Sequence, residues 1–272
     1  MKIFILISLG MALLNFSIAG IITFIISRFK KNVNRKKKIR YVLIFFILGT
    51  ILYFGGAFVF FGGYYRADDV AKQNMKSDIM VDVKEIDQGY FFDGPGSDRA
   101  LIFYPGARVE PISYAHILHE LAKDGTDCFL LKMPLNMAVL DRNKAQSIIS
   151  EYKYDRYYIG GHSLGGAMSS VFTITHTDEV DGLILLAAYS TTKINGDVRM
   201  LSIAGDKDEV LKWDSYNMYR SNWSKNGSEL IIKGGNHAGF GDYGKQSGDG
   251  EADIDNSEQQ RQTVEAIEKF LE

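Results

Sequence analysis

The sequence predicts an α/β domain, a mostly parallel eight-stranded sheet flanked by helices, preceded by a two-helix transmembrane hairpin. Three observations predict it. Two long apolar runs flank a basic segment near the N-terminus. Beyond residue 78, short runs rich in β-branched and aromatic residues alternate with helical patterns. At the centre of that alternation a strand, a Gly-x-Ser-x-Gly turn and a helix follow one another without a break.

The apolar runs cover residues 3–26 and 41–61, each longer than the roughly 18 apolar residues that span a bilayer. Residues 28–40 between them carry eight basic side chains and no acid. A short loop this basic stays cytoplasmic, so both ends of the hairpin face outward and the remaining chain is expected on the extracytoplasmic side of the cell membrane. Ser17-Ile18-Ala19 resembles a signal-peptide cleavage site, but cleavage there would put the basic loop on the outer face, and the apolar run continues through Ile26. The expected organisation is a hairpin over 1–63, a polar helix-like connector over 64–77 and the α/β domain over 78–272.

Charge divides along the same boundary. Nine of the 31 Lys and Arg fall within residues 1–63, leaving 22 against all 33 Asp and Glu, a formal charge of about −11 for the outer part. Such a surface argues against nucleic acid and against docking on polyanions, and leaves the membrane, through the two N-terminal helices, as the expected partner. Roughly 210 residues suffice for one α/β core and not for two. Cys128 is the single cysteine and lies in an apolar strand pattern, so a buried thiol is expected and no internal disulfide can form.

Within the outer domain the pattern predicts strands at 79–86, 90–92, 100–104, 128–132, 156–159, 182–187, 198–204 and 229–233. Helices are predicted at 113–123, 143–151, 163–175, 209–221 and 257–271. Turns join the first strands and helices most of the rest, which gives an antiparallel start to a parallel sheet. Only about ten residues connect 182–187 to 198–204, too few for a helical cap over the sheet edge. The site is therefore expected to be open and suited to compact polar or flexible substrates, with Met133, Leu135, Tyr189 and Phe240 as candidate substrate-binding wall residues.

The segment Tyr158-Ile159-Gly160-Gly161-His162-Ser163-Leu164-Gly165-Gly166 reads as a nucleophile elbow, in which a sharp strand-to-helix turn lifts a serine Oγ clear of the backbone. The flanking positions must be nearly free of side chain for strand and helix to pass so closely, hence Gly161 and Gly165. A helix N-terminus beyond the serine directs a positive backbone field at an oxyanion forming there. Downstream, Gly205-Asp206-Lys207-Asp208 follows a strand and offers two carboxylates; Asp208 is preferred as the acid because it can point back across the sheet edge, and Asp206 stays open. His176 and His237 are the histidines after the serine. His176 lies a helix length away on the elbow helix, whereas His237 sits among glycines in the loop after a strand, so His237 is the candidate base. Serine, carboxylate and histidine thus occur in the chain order that elbow-bearing sheets use. The oxyanion donors expected are the N–H groups of Leu164 and of Ala107, in the Pro105-Gly106-Ala107-Arg108 loop.

Taken together, Tyr104-Pro105-Gly106-Ala107, Gly161-His162-Ser163-Leu164-Gly165-Gly166, Gly205-Asp206-Lys207-Asp208 and the run from Gly234 to Gly244 resemble the α/β-hydrolase superfamily, in particular its small cap-less branch similar to dienelactone hydrolases. The segment Lys132-Met133-Pro134-Leu135-Asn136 and the long glycine-rich histidine loop look like those of bacterial membrane-tethered members. The resemblance implies hydrolysis of a small-molecule ester or related acyl bond by Ser163, Asp208 and His237, with no cofactor, and does not specify the substrate. Transfer of the acyl group to a cell-envelope acceptor, or a non-catalytic binding module on the same fold, are the alternatives. His116 and His119 sit at i, i+3 without a further ligand, and the acidic run 249–255 lacks the glycine and glutamate of a calcium loop, so no metal site is expected.

Overall fold

The structure, a computed structural model, describes residues 2–30, 33–96 and 98–272. It forms two compact units, residues 1–63 and 64–272. In the first, α1 (Lys2–Phe29) and α2 (Arg35–Gly62) contain stretches of 20 and 22 residues, Gly10–Phe29 and Arg35–Gly56, long and apolar enough to cross a membrane. The two helices share a polar clasp: the Asn15 amide donates to the Phe46 carbonyl and to Thr50 Oγ1, both at 3.0 Å. Of the basic segment 28–40, residues 31 and 32 lie outside the described residues.

The second unit is built on one eight-stranded sheet, with β1 (Asp82–Ile86), β2 (Gly89–Asp93), β3 (Arg99–Tyr104), β4 (Asp127–Leu131), β5 (Arg156–His162), β6 (Gly182–Leu186), β7 (Arg199–Gly205) and β8 (Gly227–Ile232). Their spatial order is β1-β2-β4-β3-β5-β6-β7-β8; β1–β2 and β2–β4 pair antiparallel and every later pair is parallel. The parallel strands are covered on both faces and read as unbroken apolar runs. Alternate residues sort to opposite faces, so Leu101 and Phe103 join Tyr158, Ile184 and Ile203 on one side while Ile102 and Tyr104 join Ile159, Leu183 and Met200 on the other. The first face is closed by α4 (Ala115–Lys123) and α8 (Asn256–Leu271), the second by α5 (Ala145–Glu151) and α6 (Leu164–Thr175).

Several boundaries differ from the sequence pattern, and at two of them the hydrogen bonds give a local reason. The first strand begins at Asp82 rather than residue 79, because the Asp78 carboxylate accepts the N–H groups of Met80 and Val81 at 2.8 and 2.9 Å and holds a turn, leaving Ile79 98% exposed. The helix expected over 113–123 starts with a 3-10 turn, Pro111–Tyr114, before α4. The helix expected over 209–221 shrinks to α7 (Trp213–Tyr219), since Asp208 binds the amides of Val210 and Leu211 that would otherwise open it. In the connector, Asp68 caps α3 (Asp69–Asn74) through Val70 N–H and Ala71 N–H, and Tyr65 forms a parallel bridge with Val109.

Cys128 is fully buried in β4, its thiol donates to the Thr126 carbonyl at 3.1 Å, and burial pushes its pKa well up. It should therefore be inert to Ellman's reagent in the native protein and react stoichiometrically once the chain is unfolded in guanidinium. Rapid labelling of native protein would contradict the packing of β4.

Candidate active site

Ser163 joins β5 to α6 with φ 54° and ψ −124°, a left-handed conformation strained for any residue with a side chain. Its N–H donates to Leu186 of β6 at 2.9 Å and its carbonyl accepts from Ala167 at 3.0 Å, so neighbouring strand and helix fix the turn from both sides. The glycines are a packing requirement. A Cβ at Gly161 would sit 2.6 Å from the Gly165 carbonyl carbon, and one at Gly165 would sit 2.2 Å from the Tyr104 oxygen. Backbone meets backbone at both positions, and neither can yield.

Asp208 and His237 arrive from the loops after β7 and β8, at the same edge of the sheet. His237 Nδ1 lies 2.7 Å from Asp208 Oδ2, and each residue is 2% exposed. The second carboxylate oxygen of Asp208 accepts from Val210 N–H at 2.9 Å and Leu211 N–H at 2.7 Å. Three donors thus hold this carboxylate, and His237 Nδ1 carries the proton shared with it. His237 Nε2 is buried and has no hydrogen-bond partner among the described residues. Asp206, two residues earlier, does something else. It is exposed, and its Oδ1 accepts from Gly234 N–H at 2.6 Å, pinning the turn that leads to His237.

Ser163 and His237 line one cavity of about 360 Å³, together with Leu164, at the head of α6, and Tyr189. Ala107 lies in the turn after β3, half-buried, beside Gly106. The other wall candidates are not on this cavity. Met133 is 3% exposed and Phe240 is fully buried, its ring centre 5.7 Å from that of His162. Leu135 is 47% exposed, on a loop where it and Asn136 adopt φ 53°. His176 caps the far end of α6 and stacks on Phe172. His119 is buried between the Asn74 carbonyl at 2.8 Å and Asp78 at 3.1 Å, and no cluster of potential metal ligands occurs among the described residues. A larger hollow of about 780 Å³ opens at the other ends of β5, β6 and β7, away from Ser163.

Two supports were invisible in the sequence. His162, between the elbow glycine and the serine, is buried with its ring centre 4.5 Å from that of His237. The Tyr114 hydroxyl accepts from Gly106 N–H at 3.1 Å and lies 2.8 Å from His162 Nδ1. One proton bridges the hydroxyl and Nδ1, and His162 is a neutral ring. Burial first, and His237 second, keep its pKa well below the usual 6.5. Asp249, in the acidic run, binds the histidine loop: Oδ1 accepts from His237 N–H at 3.2 Å and Oδ2 from Ala238 N–H at 2.8 Å. Neither contact has a sequence signal, because the partners offer only main-chain groups or lie 48 or 12 residues away along the chain.

A profile described as the alpha/beta hydrolase family matches residues 100–261. No curated protein sequence matches the chain. Among solved structures, the chain is similar to a predicted CIB-like hydrolase from Thermoplasma acidophilum (19% identity, TM-score 0.51, covering 71% of this chain and 100% of that one). It is likewise similar to alpha/beta hydrolase domain-containing protein 10 from mouse (14%, 0.52, 71% and 98%) and to Est1E from Butyrivibrio proteoclasticus (12%, 0.50, 71% and 99%). At these identities the likeness carries the fold.

Tyr114→Phe removes the partner of two buried groups, Gly106 N–H and His162 Nδ1, and should lower stability by about 1–3 kcal/mol in chemical denaturation. The unfolded chain takes up a proton on His162 near pH 6.5 that the folded chain refuses. Stability is therefore complete above that pH and falls as the pH drops below it. The slope of melting temperature against pH between about 6.5 and 5 should lessen in His162→Gln.

Proposed function

The chain belongs to the alpha/beta hydrolase family, and on that premise we propose that it is a membrane-anchored serine hydrolase cleaving a carboxylic ester or related acyl bond. The observation that carries the reading is the buried 2.7 Å contact between Asp208 and His237 Nδ1, with Nε2 left unpaired on the cavity that Ser163 lines. In this scheme Asp208 holds the imidazole with its proton on Nδ1, so Nε2 is the base that takes the Ser163 proton as Oγ attacks the carbonyl carbon. The tetrahedral oxyanion is met by the N–H groups of Leu164 and Ala107. His237 returns its proton to the leaving alcohol, an acyl-enzyme remains on Ser163, and water activated by the same nitrogen releases the acid.

Ser163→Ala should abolish hydrolysis of a short p-nitrophenyl ester and labelling by a fluorophosphonate, with an unchanged circular dichroism spectrum. Full turnover by this variant would exclude Ser163 as nucleophile. Asp208→Asn, which leaves the ring of His237 without its acceptor, should lower kcat by about 10³–10⁴ with a much smaller effect on KM.

The membrane part of the proposal rests on two helices of sufficient length and apolarity and on the basic segment between them. Under the positive-inside rule residues 28–40 stay cytoplasmic, residues 64–77 serve as connector and residues 78–272 act as the hydrolase domain outside. Protease added to intact spheroplasts should degrade the domain; complete protection would reverse the orientation.

A further inference from the structure

One helix of this domain carries an apolar stripe besides the face it packs on the sheet. In α6, Gly165, Gly166, Ser169, Phe172 and Thr173 are buried against the sheet, the ordinary inward face of a covering helix. Leu164, Ala167, Met168 and Val171 fall at i, i+3, i+4 and i+7, the spacing of a second stripe, and all four line the Ser163 cavity. They are half-buried and meet open space there. The opposite wall is mostly of the same character: Ala188 and Tyr189 come from the short connection after β6, and Val210 and Leu211 from the segment after Asp208, while Ser170 and Thr191 add two hydroxyl-bearing side chains to the lining. Lys212 is the charged side chain of the wall beside His237 among the described residues. The stripe spans about 10 Å along the helix. An apolar stripe of that length, continuous with Ser163 and His237, has the form of a binding surface for an extended hydrocarbon rather than for a compact polar molecule.

We propose that the substrate of Ser163 is an ester bearing an aliphatic chain of several carbons, and that this chain lies along Leu164, Ala167, Met168 and Val171. The inference rests on the reading of Ser163 as the nucleophile and adds the substrate class to it. The cavity of about 360 Å³ accommodates such a chain on one side of the reacting carbon. Each methylene transferred from water to this wall is worth up to about fourfold in affinity. The expected gain on lengthening a two-carbon group to eight is therefore at least tenfold.

The full chain in lipid nanodiscs is assayed with two pairs of esters, p-nitrophenyl acetate against p-nitrophenyl octanoate and ethyl acetate against octyl acetate. The two long esters carry the chain on the acyl and the alcohol side. A gain of at least tenfold in kcat/KM is expected for p-nitrophenyl octanoate over p-nitrophenyl acetate or for octyl acetate over ethyl acetate, and the pair that shows it identifies the side. Val171→Trp, or the smaller change Ala167→Leu, narrows the groove and should cut that gain at least fivefold; partition into lipid is common to all the proteins and cancels in the comparison. Binding is read separately with Ser163→Ala, which should hold p-nitrophenyl octanoate or octyl acetate at least tenfold tighter than its own two-carbon counterpart, and lose the preference when Val171→Trp is added. Turnover that survives in Ser163→Ala would defeat the nucleophile assignment alone, because the binding comparison still reads the groove. Equal binding of short and long esters, or a preference that neither substitution moves, overturns the proposal. So does self-association abolished by Val171→Trp without a chain-length effect, which would give the stripe to a second copy of this chain.

Discussion

Crowding of main chain around Ser163 governs the rest of the domain. Strand β5 and helix α6 turn back on each other so tightly that Gly161 and Gly165 touch only backbone, of α6 and of the Tyr104–Pro105 segment respectively. A side chain at either position would push the helix off the sheet edge. Because the contacts are backbone to backbone, no rotamer change can absorb the intrusion. The strain at Ser163 is sustained by the surrounding hydrogen bonds to β6 and α6, and the reward is a hydroxyl standing at the rim of a buried sheet.

Around that fixed point the acid and histidine loops are tied to each other before they are tied to anything else. Asp206 holds Gly234, Lys207 N–H donates to Gly235 at 2.8 Å, and Asp249 reaches across to the amides of His237 and Ala238. Gly250 lies so close to the Lys207 carbonyl that its Cβ would fall 2.0 Å from the oxygen, so the acidic run lies directly on the acid loop. A network of this kind fixes the Asp208–His237 pair with main-chain groups, whose positions vary less than those of long side chains. The segment that reads in sequence like a failed calcium loop is a strap over these loops.

The cavity wall shows how the same short connection can be read in two ways. With only about ten residues after β6, no cap can cover the edge, and an open site follows. Openness does not entail polarity. Leaving α6 uncovered exposes whatever its outward stripe carries, and here that stripe is aliphatic. Met133 and Phe240, plausible as wall residues by their place in loops, are instead drawn into packing, Phe240 behind the ring of His162.

Local chemistry was legible from the residues alone. Strand and helix periods, the glycines of the elbow, the order of Ser163, Asp208 and His237 and the two apolar N-terminal runs are all properties of short stretches of chain or of their order along it. Which carboxylate reaches the histidine was legible only as a preference for Asp208, with Asp206 open. Asp206 and Asp208 are two residues apart on one turn, and only the positions of Gly234 and His237 in the next loop sort them. The support that Tyr114 and Asp249 give the site likewise emerges only in the folded chain, since hydrogen bonds to main-chain or distant groups leave no periodicity behind. The same holds for the side of α6 that faces the core. A helix whose small, hydroxyl-bearing and aliphatic residues are spread over every side carries no such information until a sheet covers one side and leaves the other bare.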